Sequence, residues 1–249
     1  MAGLPEILLL SGIMGFSILL SYPVVLRSKL SLKGTLFLAS VATGILIFLI
    51  ADVFSDASSI IYNGSYYGYG SNPIYDLLFG LSLVSGFGAL FFFESGSGKK
   101  HEPYMLSLMI AVGIGFQNLT EGLVFGSLGV SIGLVSVTLV VLVGFVLQNL
   151  TEGFPIISPL IGKEGFSKRL VILLLFIGGI PTILGSGIGY FYYSLSLGLI
   201  FDGLAIGSML YVIFPILRVI FGNVEMGMRK MAYIGAFAGF IMGFTVNLI

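Results

Sequence analysis

The sequence predicts an all-α integral membrane protein of eight transmembrane helices with both termini on the outer side. Three observations carry this. The 249 residues are 57% hydrophobic and only 9% charged, with a mean hydropathy of +1.11, whereas a soluble domain carries about 25% charged residues. A spanning helix needs about 20 predominantly apolar residues, and eight such stretches fall at roughly 4–26, 33–53, 75–94, 103–127, 132–160, 170–190, 195–217 and 230–249. With eight spans the connections alternate between the two sides, and all 11 Lys and Arg then fall on one side. They are Arg27, Lys29 and Lys33; Lys99 and Lys100; Lys163, Lys168 and Arg169; Arg218, Arg229 and Lys230. Basic connections stay in the cytoplasm, so both termini are expected outside. A seven- or nine-span arrangement would scatter these charges.

Composition also excludes function classes. A formal net charge of zero with few basic residues argues against nucleic acid, which binds clustered cationic surface. With no cysteine there is neither a disulfide nor a thiolate metal site. The 36 glycines suit close approach of helices in lipid. Residues 1–249 read as one transmembrane domain, and membrane lipid is its expected surroundings. A multi-pass place in the cell (plasma) membrane is the expectation.

Taken in order, the first span lacks a preceding basic stretch and reads as a retained helix, not a cleaved signal. The second is expected to end with Asp52 and Asp56, spaced i and i+4 at the outer mouth, to draw cations in or simply as a solvated helix end. An outer loop from about 54 to 73 follows, rich in Ser, Gly, Asn and Tyr. The loop 94–102 holds the sole histidine, His101, read as solvated in preference to metal-bound. Spans four and five are joined by a short turn near Gly129–Gly133. Pro155, Pro159, Pro181 and Pro215 interrupt spans five to seven, which membranes tolerate where neighbours or a cavity satisfy the backbone. Asp202 lies six or seven residues inside span seven, either lining a pathway or buried and hydrogen-bonded. Gly235, Gly239 and Gly243 form a close-packing face within the chain, with a homodimer face as the alternative.

The hexapeptide Gln-Asn-Leu-Thr-Glu-Gly occurs twice, at Gln117–Gly122 and at Gln148–Gly153. Each copy sits inside a long apolar run, where ionisable groups are costly and mark pathways or binding sites. On a helix Gln117, Asn118 and Glu121 share one broad face, as do Gln148, Asn149 and Glu152. The copies lie nearly symmetrically about the turn, each roughly 20 Å along its helix from it, near the bilayer midplane. Two carboxylates and four carboxamides can thus meet. Facing glutamates repel unless they share a proton or bind a cation, and an all-oxygen set suits a divalent metal. The plainer alternative, polar groups knitting two helices together, accounts for the amides but not for the paired acids. No nucleophile or histidine base accompanies the acids, so an enzyme is not expected. A proton- or sodium-coupled carrier of another solute and a non-transporting membrane scaffold are the remaining alternatives.

Eight spans, outer termini and paired polar-Asn-x-x-Glu-Gly motifs in spans four and five resemble the ZIP (Zrt/Irt-like) divalent metal transporters, closest to the GufA-like branch. The resemblance covers essentially the whole chain and includes 44–56, 207–212 and Pro159. It implies a 3+2+3 helix bundle, transport of a divalent metal (Zn, Cd, Fe, Mn or Co) toward the cytoplasm and no permanently bound cofactor. It also implies a two-metal site with Gln117, Asn118, Glu121, Gln148, Asn149 and Glu152 in ligand positions, and an elevator-like motion of spans 1, 4, 5 and 6. The chain departs from the family in four places. Gln117 stands where a histidine is usual, Thr120 and Thr151 replace the motif prolines, Ile180 replaces a glutamate, and the loop between spans three and four lacks a histidine cluster. Another divalent ion, a single-ion site or a degenerate site are therefore alternatives to two bound zincs.

Overall fold

The computed structural model describes residues 2–23, 31–62, 73–97, 102–134, 136–161, 163, 165–192, 194–221 and 226–248. His101 and most of the outer loop, including its tyrosines beyond Tyr62, lie outside them. Among the described residues there are eight long α-helices and no strand. They are α1 (Leu4–Phe16), α2 (Leu32–Tyr62), α3 (Pro73–Ser97), α4 (Pro103–Ser131), α5 (Ser136–Ile157), α6 (Lys168–Phe191), α7 (Leu195–Phe221) and α8 (Met226–Asn247). Seven of them, with α1 counted through Ser21, are long and apolar enough to cross a membrane. That fits a membrane-embedded protein. The eighth helix, α8, is not among the seven.

Local chemistry explains most helix ends. Glu6 reaches back to accept from the Gly3 N–H at 2.9 Å, satisfying one of the unpaired donors at the start of α1. The helix then tightens into a 3-10 segment, Ser17–Ser21, where Ser17 Oγ lies 2.6 Å from the Met14 carbonyl and 3.0 Å from the Val146 carbonyl of α5. Pro103 opens α4, where a missing N–H costs nothing. Gly133, at φ 74°, turns the chain toward α5. Ser167 Oγ accepts from the Leu170 N–H to cap α6. Pro155, Pro181 and Pro215 lie inside helices, and Pro159 opens a short 3-10 turn after α5.

One expectation needs correction. The second span was expected to end near residue 53, with Asp52 and Asp56 at its mouth and a loop beyond. Helix α2 instead continues to Tyr62. Nothing between 53 and 62 breaks a helix, since neither proline nor glycine occurs there. Both aspartates are therefore interior helical residues.

The helices pack most extensively in two sets. In the first, α4 lies along α6, and α1 and α5 close around them. Gly122 and Gly126 of α4 abut the backbone at Thr182 and Ser186, while Gly185 and Gly189 of α6 abut the backbone at Leu119 and Leu123. Gly15 of α1 and Gly179 of α6 meet back to back. In the second set, Gly203 and Gly207 of α7 meet the backbone of α3, and Gly44 of α2 and Gly239 of α8 bring those two helices together. Gly235 and Gly243 also face α2, at Phe37, Ser40 and Phe48. The glycine face of α8 is thus used within the chain. The sets join where α4 faces α7 and α2 faces α5 and α7, over a shared apolar core that includes Ile45, Met109, Ile156 and Met209.

These contacts separate glycines that permit packing from glycines that do not. Gly122→Val or Gly239→Val drives a side chain into a neighbouring backbone and should lower the thermal unfolding midpoint in detergent, with an overpacking cost of about 1–3 kcal/mol or more. Gly80, with nothing within 4 Å of an added Cβ, should instead tolerate Gly80→Ala, which gains about 0.5–1 kcal/mol of helix stability.

Candidate functional site

Helices α4 and α5 are chain neighbours and pack together, and this places the two hexapeptides opposite each other. All six polar residues are buried: Gln117, Asn118 and Glu121 on α4, and Gln148, Asn149 and Glu152 on α5. Neither helix contains a lysine or arginine, so the acids have no cationic partner of their own on these elements.

The hydrogen bonds run between the two copies. The Gln117 amide Nε2 donates to Glu121 Oε1 at 3.1 Å and to Glu152 Oε1 at 3.2 Å. One nitrogen therefore bridges the carboxylates of both motifs. Gln148 Nε2 donates across to Glu121 Oε1 at 2.6 Å. Asn118 Nδ2 donates to the Gly178 carbonyl of α6 at 2.9 Å, tying the first motif to a third helix. Asn149 Nδ2 donates to the Phe145 carbonyl of its own helix at 3.0 Å.

The amide nitrogens are thus engaged, while an oxygen set is left over. Gln117 Oε1, Asn118 Oδ1, Glu121 Oε2, Asn149 Oδ1 and Glu152 Oε2 are buried without a hydrogen-bond partner. Buried polar atoms are almost always paired, and an orphan calls for a reason such as an ion or catalysis. Here the orphans are all acceptors, and they belong to one pair of motifs. An acceptor-only surplus is satisfied by a cation or by a proton on a carboxylate.

The three aspartates named from the sequence gather around this centre. Asp52 of α2 is half-buried and within electrostatic range of both Glu121 and Glu152. Asp56, one turn on and exposed, is within range of Glu121 and of Asp202. Asp202 of α7 is buried and lies within electrostatic range of the Thr120 hydroxyl of α4. Glu121, Glu152, Asp52, Asp56 and Asp202 thus form a linked set of acids on α2, α4, α5 and α7.

Sequence reasoning passed over Thr120 except as a lost proline, yet its hydroxyl comes near Asp202 of α7. Thr182 and Ser186, one turn apart on α6, are buried with hydroxyls that lack a partner, and nothing in their apolar sequence context flagged them. The Tyr211 hydroxyl of α7 donates to Glu94 Oε2 of α3, a buried pair that periodicity does not reveal. Ile180 points outward and is exposed, so it contributes nothing to the centre. Among the described residues no three or more His, Cys, Asp or Glu side chains cluster for a metal. An ion here would rest on two carboxylates and on carboxamide oxygens. No protein-family model matches the chain, and no curated protein matches it.

The bridging role of Gln117 has a measurable consequence. Gln117→Leu leaves Glu152 Oε1 without this donor and Glu121 Oε1 with one donor fewer. In chelator-treated detergent solution this should destabilise the fold by about 1–3 kcal/mol per buried group left unpaired, read as a lower thermal midpoint than wild type.

Proposed function

We propose that the protein is a multi-pass carrier of divalent metal cations across the plasma membrane, moving them toward the cytoplasm through the twin-hexapeptide site. In this reading all eight helices span, both termini lie outside, and the bundle is ZIP-like in its 3+2+3 arrangement. The observation that carries the proposal is the meeting of the two motifs, buried, with five acceptor oxygens unpartnered. Glu121 and Glu152 supply the charge that matches a dication, and Gln117, Asn118, Gln148 and Asn149 supply carbonyl oxygen. Asp52, Asp56 and Asp202 hold negative potential along the approach, which raises the local cation concentration.

The packing supports a moving-barrier mechanism. The ligand-bearing helices α4 and α5 pack with α1 and α6 through glycine-backed contacts, as do α2 and α8, and α3 and α7. The site lies at the seam between these sets. A carrier that shifts one set past the other exposes the same residues to either side. No nucleotide-binding motif occurs in the sequence, so a gradient supplies the driving force. A proton- or sodium-coupled carrier of another solute is the second reading, favoured by the adjacency of Glu121 and Glu152 at one amide nitrogen.

Reconstitution in liposomes tests the proposal. Wild-type protein should take up at least one ion from a panel of Zn2+, Cd2+, Fe2+, Mn2+, Co2+, Ni2+ and Mg2+. Glu121→Gln and Glu152→Gln, which keep size and remove charge, should each abolish that uptake while reconstituting normally. Absence of flux for every ion, with folded and oriented protein, overturns the carrier reading and leaves the coupled carrier or the scaffold.

A further inference from the structure

We infer that the site selects for hardness and takes a single six-coordinate, oxygen-seeking divalent ion of the Mn2+ type, and that Gln117 sets this preference. The inference rests on the carrier reading and narrows its substrate.

The donor set is the first ground. Every group left unpartnered at the twin motifs is an oxygen. The nitrogens present belong to carboxamides, whose NH2 groups donate hydrogen bonds and do not ligate metals. The chain has no cysteine, and its only histidine precedes α4. Neither sulfur nor imidazole nitrogen occurs among the six motif residues. Zn2+ favours tetrahedral sites with nitrogen and sulfur ligands, and neither donor is offered.

Charge and coordination number are the second ground. Two carboxylates balance one dication, and a second dication in the same buried cluster would leave excess positive charge. The two motifs hold five unpartnered oxygens, enough with one further ligand for the six that Mn2+ or Mg2+ prefers. Burial then separates the candidates. Mg2+ gives up its waters reluctantly and usually keeps several, while Ca2+ asks for 6–8 oxygens. All five oxygens belong to side chains more than nine-tenths buried, which disfavours a heavily hydrated ion and leaves Mn2+ as the best match.

The third ground is the position of Gln117. Its amide nitrogen lies between the two carboxylates, where a bridging cation would sit. Half a turn about the terminal torsion exchanges that donor for the unpartnered Oε1, and the same side chain becomes a ligand without a change of shape. A histidine at this position would place nitrogen at the centre and favour softer ions.

Affinity on a given site still rises from Mn2+ toward Zn2+ along the first-row series, so the diagnostic quantity is the spread among ions. The test is calorimetric titration of the purified full-length protein in nanodiscs with Mn2+, Zn2+ and Cd2+, alongside Glu121→Gln, Glu152→Gln and Gln117→His. The expected result is one Mn2+ per chain, with Zn2+ and Cd2+ binding within about tenfold of it. Each glutamate variant should weaken Mn2+ by at least about tenfold. Gln117→His should raise Zn2+ and Cd2+ relative to Mn2+ by more than about tenfold. Wild-type preference for Zn2+ or Cd2+ above about a hundredfold, lost in the glutamate variants, overturns the hardness inference and leaves the site in place. Two ions per chain overturns the single-ion claim. Binding that is absent, or indifferent to both glutamates, overturns the carrier reading itself.

Discussion

The structure depends on a pair of glutamates held side by side on two helices that carry no lysine or arginine. Glu121 and Glu152 share the amide nitrogen of Gln117, and Glu121 takes a second donor from Gln148. Removing charge from water costs several kcal/mol per ion even after relaxation, so such a pair persists only where its surroundings answer it. Two amide side chains, Gln117 and Gln148, do so in part, through their N–H groups. The oxygens of Gln117, Asn118 and Asn149 and the second oxygen of each carboxylate remain, and that remainder gives the site its character. A site built only to knit two helices would satisfy acceptors and donors alike.

Holding this centre requires helices closer than ordinary side chains allow. Gly122 follows Glu121 directly and lets α4 settle onto α6. The second copy repeats the device, with Gly153 following Glu152 and resting against Ile18 and Ser21 of the 3-10 segment after α1. The hexapeptide therefore encodes two things at once: acid and amides on the inner face, and a glycine on the adjacent face that docks the helix. Asn118 adds a polar tether to the Gly178 carbonyl. Site and packing are specified by the same six residues, twice.

Much of this was legible in the sequence because the signals are periodic or repeated. The all-helical class and seven long apolar helices follow from apolar run length, and the i, i+3 and i+4 spacing within each hexapeptide places its polar residues on one face. The glycine stripe of α8 was likewise readable as a packing face. What escaped were features that depend on which helices meet. The continuation of α2 to Tyr62 was missed because Ser, Asp and Tyr after Asp52 resemble a loop in composition, although none of them stops a helix. The approach of Thr120 to Asp202 and the Glu94–Tyr211 pair each bring together helices far apart in sequence, and the buried hydroxyls of Thr182 and Ser186 sit in an apolar run. No local pattern announces them.

The central claim is that the two hexapeptides converge on one cation. The most direct measurement is a crystal structure grown with Mn2+ and recorded at wavelengths that give manganese an anomalous signal. The account predicts one anomalous peak between Glu121 and Glu152, within about 2.5 Å of an oxygen from each. It also predicts that the Gln117 amide turns its oxygen toward the ion. A structure with Mn2+ ordered elsewhere, and the Gln117 nitrogen still bridging both carboxylates, would contradict it.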